Sequence, residues 1–314
     1  MVTTLASRHR SSSRSPLARF LAEHPGRDLD CRGLRLHYLD EGEGAPVVML
    51  HGNPTWSFFY RGLVEALRPS HRVIVPDQIG CGLSEKPADS RYQYTLASRV
   101  HDLEHLLDQL GIQGNLTLIL HDWGGMIGMT YAARHPERVA RLVVLNTAAF
   151  HLPSGLRIPW ALRICRTSRL GEVLVRKLNL FARGTSWIGC KRRILPRPIR
   201  EAYVAPYDSW DHRIAIHRFV QDIPLHPGDP SYDLVSWVEQ RLGELRRRPM
   251  LIVWGMKDFV FHRGILEEWQ RRFPDAEVHR LEDAGHYVLE DDPEAVASLV
   301  HRFLASQPRS RAAD

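Results

Sequence analysis

The chain predicts an α/β fold in which a mostly parallel central sheet carries helices on both faces and a helical cap is inserted between two sheet strands. Three observations point to it. From Leu34 onward, short apolar or β-branched runs alternate with segments of helical periodicity, the pattern of parallel strands buried on both faces by crossover helices. From about Phe150 to Glu244 that rhythm breaks into a basic, Trp-rich stretch punctuated by prolines. It returns at 249–254.

The elements follow in order. Residues 34–39 read as a strand, 46–50 as a buried one, and 72–75 as a third that ends at Pro76. A helix over 95–110 carries Leu96, Val100, Leu103, Leu107 and Leu110 on one face, with Gly111 as its stop. Strands at 115–120 and 141–145 flank a helix through Met129 and Ala133. Beyond the interruption come a strand at 249–254, a helix at 266–273, a strand at 277–281 and a closing helix through Val296, Leu299, Val300 and Phe303. The expected organisation is a flexible basic arm over 1–28, a core over 29–149 and 245–306, a cap over 150–244 and a tail over 307–314.

The 314 residues, 44% hydrophobic and 25% charged, suit one large core with an insertion and exclude collagen, wholesale disorder and a disulfide miniprotein. No apolar run approaches the roughly 18 residues that span a bilayer. Cys31, Cys81, Cys165 and Cys190 stand far apart, without a C-x-x-C pair, which predicts reduced thiols in a cytoplasmic protein and no zinc clip. Arg8, Arg10, Arg14 and Arg19 interrupt a Ser-rich N-terminus that has no secretory apolar core. Charge is uneven: between His151 and Arg200 twelve Lys and Arg face the single acid Glu172. Such a basic, apolar-interleaved cap is compatible with peripheral contact with an anionic membrane. No nucleic-acid recognition motif accompanies it, so nucleic acid is not an expected partner.

Ligands of such sheets bind beyond the carboxyl ends of the strands. Four runs end there in reactive groups: His51-Gly52-Asn53-Pro54, His121-Asp122-Trp123-Gly124-Gly125, Gly255-Met256-Lys257-Asp258 and Asp283-Ala284-Gly285-His286. Asp122 lies between an apolar strand and a helix that opens on two glycines, the setting of a nucleophile elbow. A carboxylate is already ionised at neutral pH, so it can displace a leaving group from saturated carbon without a base. An acid after a later strand, Asp258, and a histidine after the last, His286, complete the order nucleophile, acid, histidine.

With these residues in place, the chain resembles the α/β-hydrolase superfamily and, within it, the third subfamily of haloalkane dehalogenases. H-G-N-P-T-W-S at 51–57, D-Q-I-G-C-G-L-S at 77–84, H-D-W-G-G at 121–125 and D-A-G-H at 283–286 carry the resemblance, which runs from about Leu34 to Leu304. It implies Asp122 as nucleophile, His286 as the group that activates water, Asp258 as its acid, and Asn53 and Trp123 as anion holders and oxyanion-hole donors. No carboxylate stands in Asn146-Thr147-Ala148-Ala149, where another branch carries its acid.

A narrower resemblance lies in 144–150, 205–210, 218–225 and 285–291, which are similar to the β-lactone decarboxylases of bacterial olefin biosynthesis. It implies conversion of a cis-3-alkyl-4-alkyloxetan-2-one to a cis-alkene and CO2, with no metal or organic cofactor, beside the other enzymes of that route. An apolar small-molecule substrate needs an apolar pocket, for which the cap offers Trp160, Leu174, Leu178, Trp187, Trp210 and Phe219, with Ile223 and Pro224 near the anion site. The alternatives are a haloalkane dehalogenase, an epoxide hydrolase using Tyr203 and Tyr207, and a non-enzymatic receptor on the same fold. His51 and His121 flank the site as loop-positioning residues. His101 and His105, four apart on a helix, read as surface residues.

Overall fold

The computed structural model describes residues 15–306. Its sheet has eight strands: β1 (Arg27–Asp30), β2 (Arg35–Glu41), β3 (Pro46–Leu50), β4 (Arg72–Pro76), β5 (Leu116–His121), β6 (Val139–Leu145), β7 (Met250–Gly255) and β8 (Glu277–Leu281), in the order β1-β2-β4-β3-β5-β6-β7-β8. β1 and β2 pair antiparallel, as do β2 and β4; every pair from β4 to β8 is parallel.

Strand residues alternate between two cores. Val48, Leu50, Leu118, Leu120, Val144 and Ile252 enter one cluster, while Val47, Met49, Ile119, Val143 and Val253 enter the other. Burial on both faces explains why these strands read as continuous apolar runs instead of alternating ones. All six residues of β5 are buried. The expected helix at 95–110 is Leu96–Gln109, with the Thr95 hydroxyl accepting the Ser98 N–H as its cap.

Two expectations are corrected. Residues 15–28 are not a flexible arm: Pro16–Glu23 is a helix capped by the Ser15 hydroxyl, followed by edge strand β1. Phe20 anchors that helix, packing edge-on against Trp56 and Phe58 at centroid distances of 5.5 and 5.2 Å. The arginine- and serine-rich stretch at 7–14 that precedes it dominated the reading and masked one buried aromatic. Residues 1–14 and 307–314 of the predicted arm and tail lie outside the described residues. Phe20→Leu is expected to cost about 1 kcal/mol of stability, read by urea denaturation; an unchanged midpoint would return the segment to a solvated arm.

The second correction concerns the cap's expected boundary at 244. The helix Tyr232–Arg241 packs on the helix Trp123–Arg134, and Val235, Val238, Leu242 and Leu245 join the same cluster as Leu118 and Met129. It belongs with the sheet, because its buried stripe is continuous with the core. The helices Trp160–Thr167, Leu180–Ile188, Arg197–Val204 and Ile214–Gln221 occupy the rest of the insertion.

Candidate active site

β5 runs straight into Asp122, whose backbone takes φ +51°, ψ −125°, a left-handed conformation that a non-glycine residue adopts only when its surroundings impose it. Three glycines make room for this. A methyl group on Gly52 would lie 2.0 Å from Asp122 Oδ1, one on Gly124 1.9 Å from the Leu50 carbonyl oxygen, and one on Gly125 1.8 Å from Thr147 Oγ1. The Thr147 hydroxyl donates to the Asp122 carbonyl, and the Asp122 N–H to the Asn146 carbonyl at 3.2 Å.

The Asp122 carboxylate is buried. Its Oδ1 accepts the Asn53 backbone N–H at 2.6 Å, and the Trp123 N–H also favours the charged carboxylate. Burial raises the Asp122 pKa above its usual value, against the pull of His286 and these two N–H groups. Oδ2 lies 3.8 Å from His286 Nε2. The other ring nitrogen, Nδ1, donates to Asp258 Oδ2 at 2.8 Å. Burial pulls the His286 pKa down, but the adjacent charge and hydrogen bond of Asp258 leave it raised overall.

Asp258 itself is fully saturated. Burial works against its charge, yet His286 and the N–H groups of Val260 and Phe261, which bond Oδ1 at 2.7 and 3.1 Å, hold its pKa below the ordinary carboxylate range. A further donor is Asn146, whose Nδ2 reaches Asp258 Oδ2 at 3.0 Å and the Gly255 carbonyl at 3.1 Å. Its Oδ1 accepts the Gly255 N–H at 2.8 Å. Thus Asn146, also at positive φ, ties the ends of β6 and β7 to the Asp258 carboxylate through its side chain and to the Asp122 backbone through its carbonyl. The sequence reading noticed only that this position lacks a carboxylate; an asparagine directly after an apolar strand is the signal that could have found it.

The two flanking histidines are both held in hydrogen bonds to neighbouring loops. His51 Nδ1 donates to the Gly52 carbonyl at 2.9 Å, while Nε2 accepts the Gln78 N–H at 3.1 Å, which fixes a neutral tautomer. His121 Nε2 donates to the His286 carbonyl at 2.9 Å, and burial keeps its pKa well below the usual imidazole value.

Asp122, His286, Asn53 and Trp123 open together onto a cavity of about 520 Å³, whose other walls are mostly apolar and include Leu152, Ile164, Leu174, Phe181, Ile223 and Pro224. The Trp123 indole N–H has no acceptor among the described residues, whereas Asn53 spends one amide N–H on the Ile216 carbonyl at 3.0 Å and keeps the second. These are the donors an anion in the cavity would meet.

Several pocket candidates do not line it. Trp210 is 40% exposed on the outer cap, with Arg176 stacked 4.3 Å over its ring. Phe219 is buried behind Trp123, with ring centroids 5.2 Å apart, and Arg99 lies 3.5 Å over its ring. Leu178 and Trp187 are surface residues. Trp160 and Leu174 do line the cavity. Aromatic composition could not say which face of each cap helix is turned inward. The two tyrosines offered for epoxide chemistry face elsewhere: Tyr203 donates to Glu290 Oε1 at 2.5 Å and Tyr207 to the Thr55 carbonyl at 3.3 Å. Glu23, His24 and Glu65 converge far along the chain from this site, but both His24 nitrogens are engaged by carboxylates, of Glu41 and Glu65.

A reactive side chain raised on a strained turn after a central parallel strand, with its helix packed close through glycines, defines a hydrolase-type α/β enzyme fold. The chain belongs to the alpha/beta hydrolase fold family, whose model matches residues 45–166 and 180–293. Within that family it is 55% identical over 276 residues, 88% of this chain and 87% of the relative, to a cis-3-alkyl-4-alkyloxetan-2-one decarboxylase of Shewanella oneidensis. It is 49% identical over 288 residues, 89% of this chain and 96% of the relative, to one of Xanthomonas campestris pv. campestris. Among solved structures, a haloalkane dehalogenase from Agrobacterium tumefaciens superposes with a TM-score of 0.80 at 28% identity, covering 89% of this chain and 95% of that one.

Proposed function

We propose that the chain is a β-lactone decarboxylase that converts cis-3-alkyl-4-alkyloxetan-2-ones to cis-alkenes and CO2, with Asp122 as nucleophile. The observation that carries the chemistry is the occupancy of the backbone donors. In a serine hydrolase the N–H pair at the elbow receives the substrate's carbonyl oxygen. Here the Asn53 and Trp123 N–H groups already hold the nucleophile's own carboxylate. That favours attack by Asp122 Oδ2 at the ring carbon bearing oxygen over attack at the lactone carbonyl.

The step balances without water. A C–O bond forms from Asp122 to that carbon as the ring C–O bond breaks, releasing a carboxylate toward the Trp123 indole and the free Asn53 amide N–H. The C–C bond to the carboxylate then breaks, its electron pair becomes the alkene, CO2 departs and the Asp122 carboxylate is expelled. Inversion at the attacked carbon followed by anti loss of the two groups returns the cis arrangement of a cis lactone. The mostly apolar cavity suits two alkyl chains. The names of the two close relatives support the substrate class. In this reading the protein works in the cytoplasm beside enzymes that make the lactone, without a cofactor.

The dehalogenase reading rests on the same groups and on the structural neighbour. It would use neutral His286, oriented by Asp258, as the base that hydrolyses an alkyl ester of Asp122. Incubation with a cis-β-lactone and gas chromatography of the alkene, alongside bromide release from 1-bromohexane, separates the two. Alkene without comparable bromide release is expected; bromide release without alkene would replace the proposal by its alternative.

Their pH profiles differ as well. Both reactions require ionised Asp122, so both rates fall as pH drops through its raised pKa, at a pH above the ordinary 3.8 of an aspartate. Only ester hydrolysis also needs His286 deprotonated, which occurs at a pH above the ordinary 6.5 because Asp258 raises the histidine. Lactone turnover is expected to show the acid limb alone. A second rise above pH 6.5 in the lactone profile would put a base step back into the cycle.

A further inference from the structure

A second cavity, of about 500 Å³, lies on the cap and has a different chemistry from the first: Arg183, Arg197, Arg200 and Arg213 line it together with Glu201 and Asp208. The two carboxylates are already partnered, Glu201 with Arg197 at 2.7 Å and Asp208 with His212 at 2.7 Å. Arg183, Arg200 and Arg213 therefore face the cavity with no carboxylate partner among the described residues. Arg213 is buried, its Nε on the Tyr207 carbonyl at 2.8 Å and its Nη1 on the Arg176 carbonyl at 2.5 Å. Arg200 lies 3.4 Å over the Trp187 ring. Guanidinium groups on one wall without carboxylate partners are the donors with which a phosphate pairs.

One helix, Leu180–Ile188, separates the two cavities. Arg183, Ser186 and Trp187 face the arginine pocket, while Leu180, Gly184 and Ile188 line the apolar one. Leu180, Trp187 and Ile188 are each about half exposed, at 50%, 51% and 48%, and Trp160 on the apolar rim is 75% exposed. Arg163, Arg169 and Lys177, also exposed on the cap, have no ion-pair partner among the described residues. An amphipathic helix with tryptophan at its edge, arginines beside it and unpaired cations around it has the make-up of an interfacial element on anionic lipid.

We propose that the cap docks on an anionic phospholipid bilayer, seating a lipid phosphate among Arg183, Arg200 and Arg213 while the exposed apolar rim of the substrate cavity meets the acyl region. The proposal rests on the decarboxylase reading only for its purpose: a substrate and an alkene product with two alkyl chains would pass between cavity and lipid without crossing water.

The test is co-sedimentation of the full chain with vesicles of phosphatidylcholine and phosphatidylglycerol in a three-to-one ratio, against phosphatidylcholine alone. Binding to the anionic vesicles is expected, with affinity lowered about tenfold by Arg183→Glu, similarly by Lys177→Glu, and lowered by salt. Equal binding to both vesicles, no binding to either, or unchanged affinity of both variants would overturn it. If inorganic phosphate perturbs tryptophan fluorescence while vesicles do not bind, the pocket serves a soluble phosphate and the docking proposal fails. Vesicle binding needs no turnover, and turnover of a short-chain, water-soluble β-lactone needs no vesicle, so failure of one proposal is read separately from failure of the other.

Discussion

Asp122→Ala is expected to lower kcat/KM for a cis-β-lactone by at least about 10⁴-fold, equivalent to about 5.5 kcal/mol of transition-state stabilisation. The reaction as proposed begins with a bond to Asp122 Oδ2, and the neighbouring groups offer no substitute. His286 Nε2 lies 3.8 Å from that oxygen, and Asp258 is tied up by Asn146, His286 and two backbone N–H groups. Alanine is preferable to asparagine, because an asparagine there could regain a carboxylate by deamidation. Removing a buried carboxylate also removes a desolvated charge, so the folded state should persist, and circular dichroism checks this. A folded Asp122→Ala protein that still produced alkene within tenfold of the wild-type rate would remove Asp122 from the mechanism.

Gly124→Ala is expected to destabilise the protein by about 3 kcal/mol, at the upper end of overpacking costs, because the obstruction is main chain. The added methyl group would lie 1.9 Å from the Leu50 carbonyl oxygen and 2.5 Å from its carbon. Neither can move without shifting β3, whose pairing with β5 carries the elbow. The alternative relaxation, sliding the helix Trp123–Arg134 away from the sheet, would displace the Trp123 N–H from the Asp122 carboxylate. Both stability and activity should therefore fall, read as a lower urea midpoint together with reduced turnover. A midpoint within experimental error of wild type would mean that the helix does not need this close approach.

The same contrast shows what was legible in the sequence. Asp122, Asp258 and His286 could be found because each lies just beyond the carboxyl end of a strand, Asp122 directly after β5 and the other two in the short turns that follow β7 and β8, and the fold brings strand ends to one edge irrespective of what lies between. Gly124 and Gly125 were legible for a related reason: close helix–strand packing is the evident use for two glycines at a helix start. Asn146 escaped because its work is done through both faces of an amide on backbone and carboxylate partners from other strands, and residue type alone does not reveal such partners. The cap was read least well. Trp210 and Phe219 look alike as pocket aromatics in the sequence, yet Trp210 faces outward under Arg176 and Phe219 sits behind Trp123. Which side of a short, basic helix turns inward is decided by its neighbours. The N-terminal helix was missed although Ser15-Pro16 is a cap followed by a first-turn proline, because the arginines around Phe20 suggested a solvated segment.

The central claim is that Asp122 bonds to the substrate carbon and leaves by elimination, never by hydrolysis. Repeated turnover of a cis-β-lactone in water enriched in oxygen-18, followed by mass analysis of the peptide that contains residue 122, tests this directly. Alkene should accumulate while the Asp122 carboxylate stays unlabelled. Heavy oxygen in that carboxylate, rising with turnover number, would show that water attacks the ester and would contradict the account.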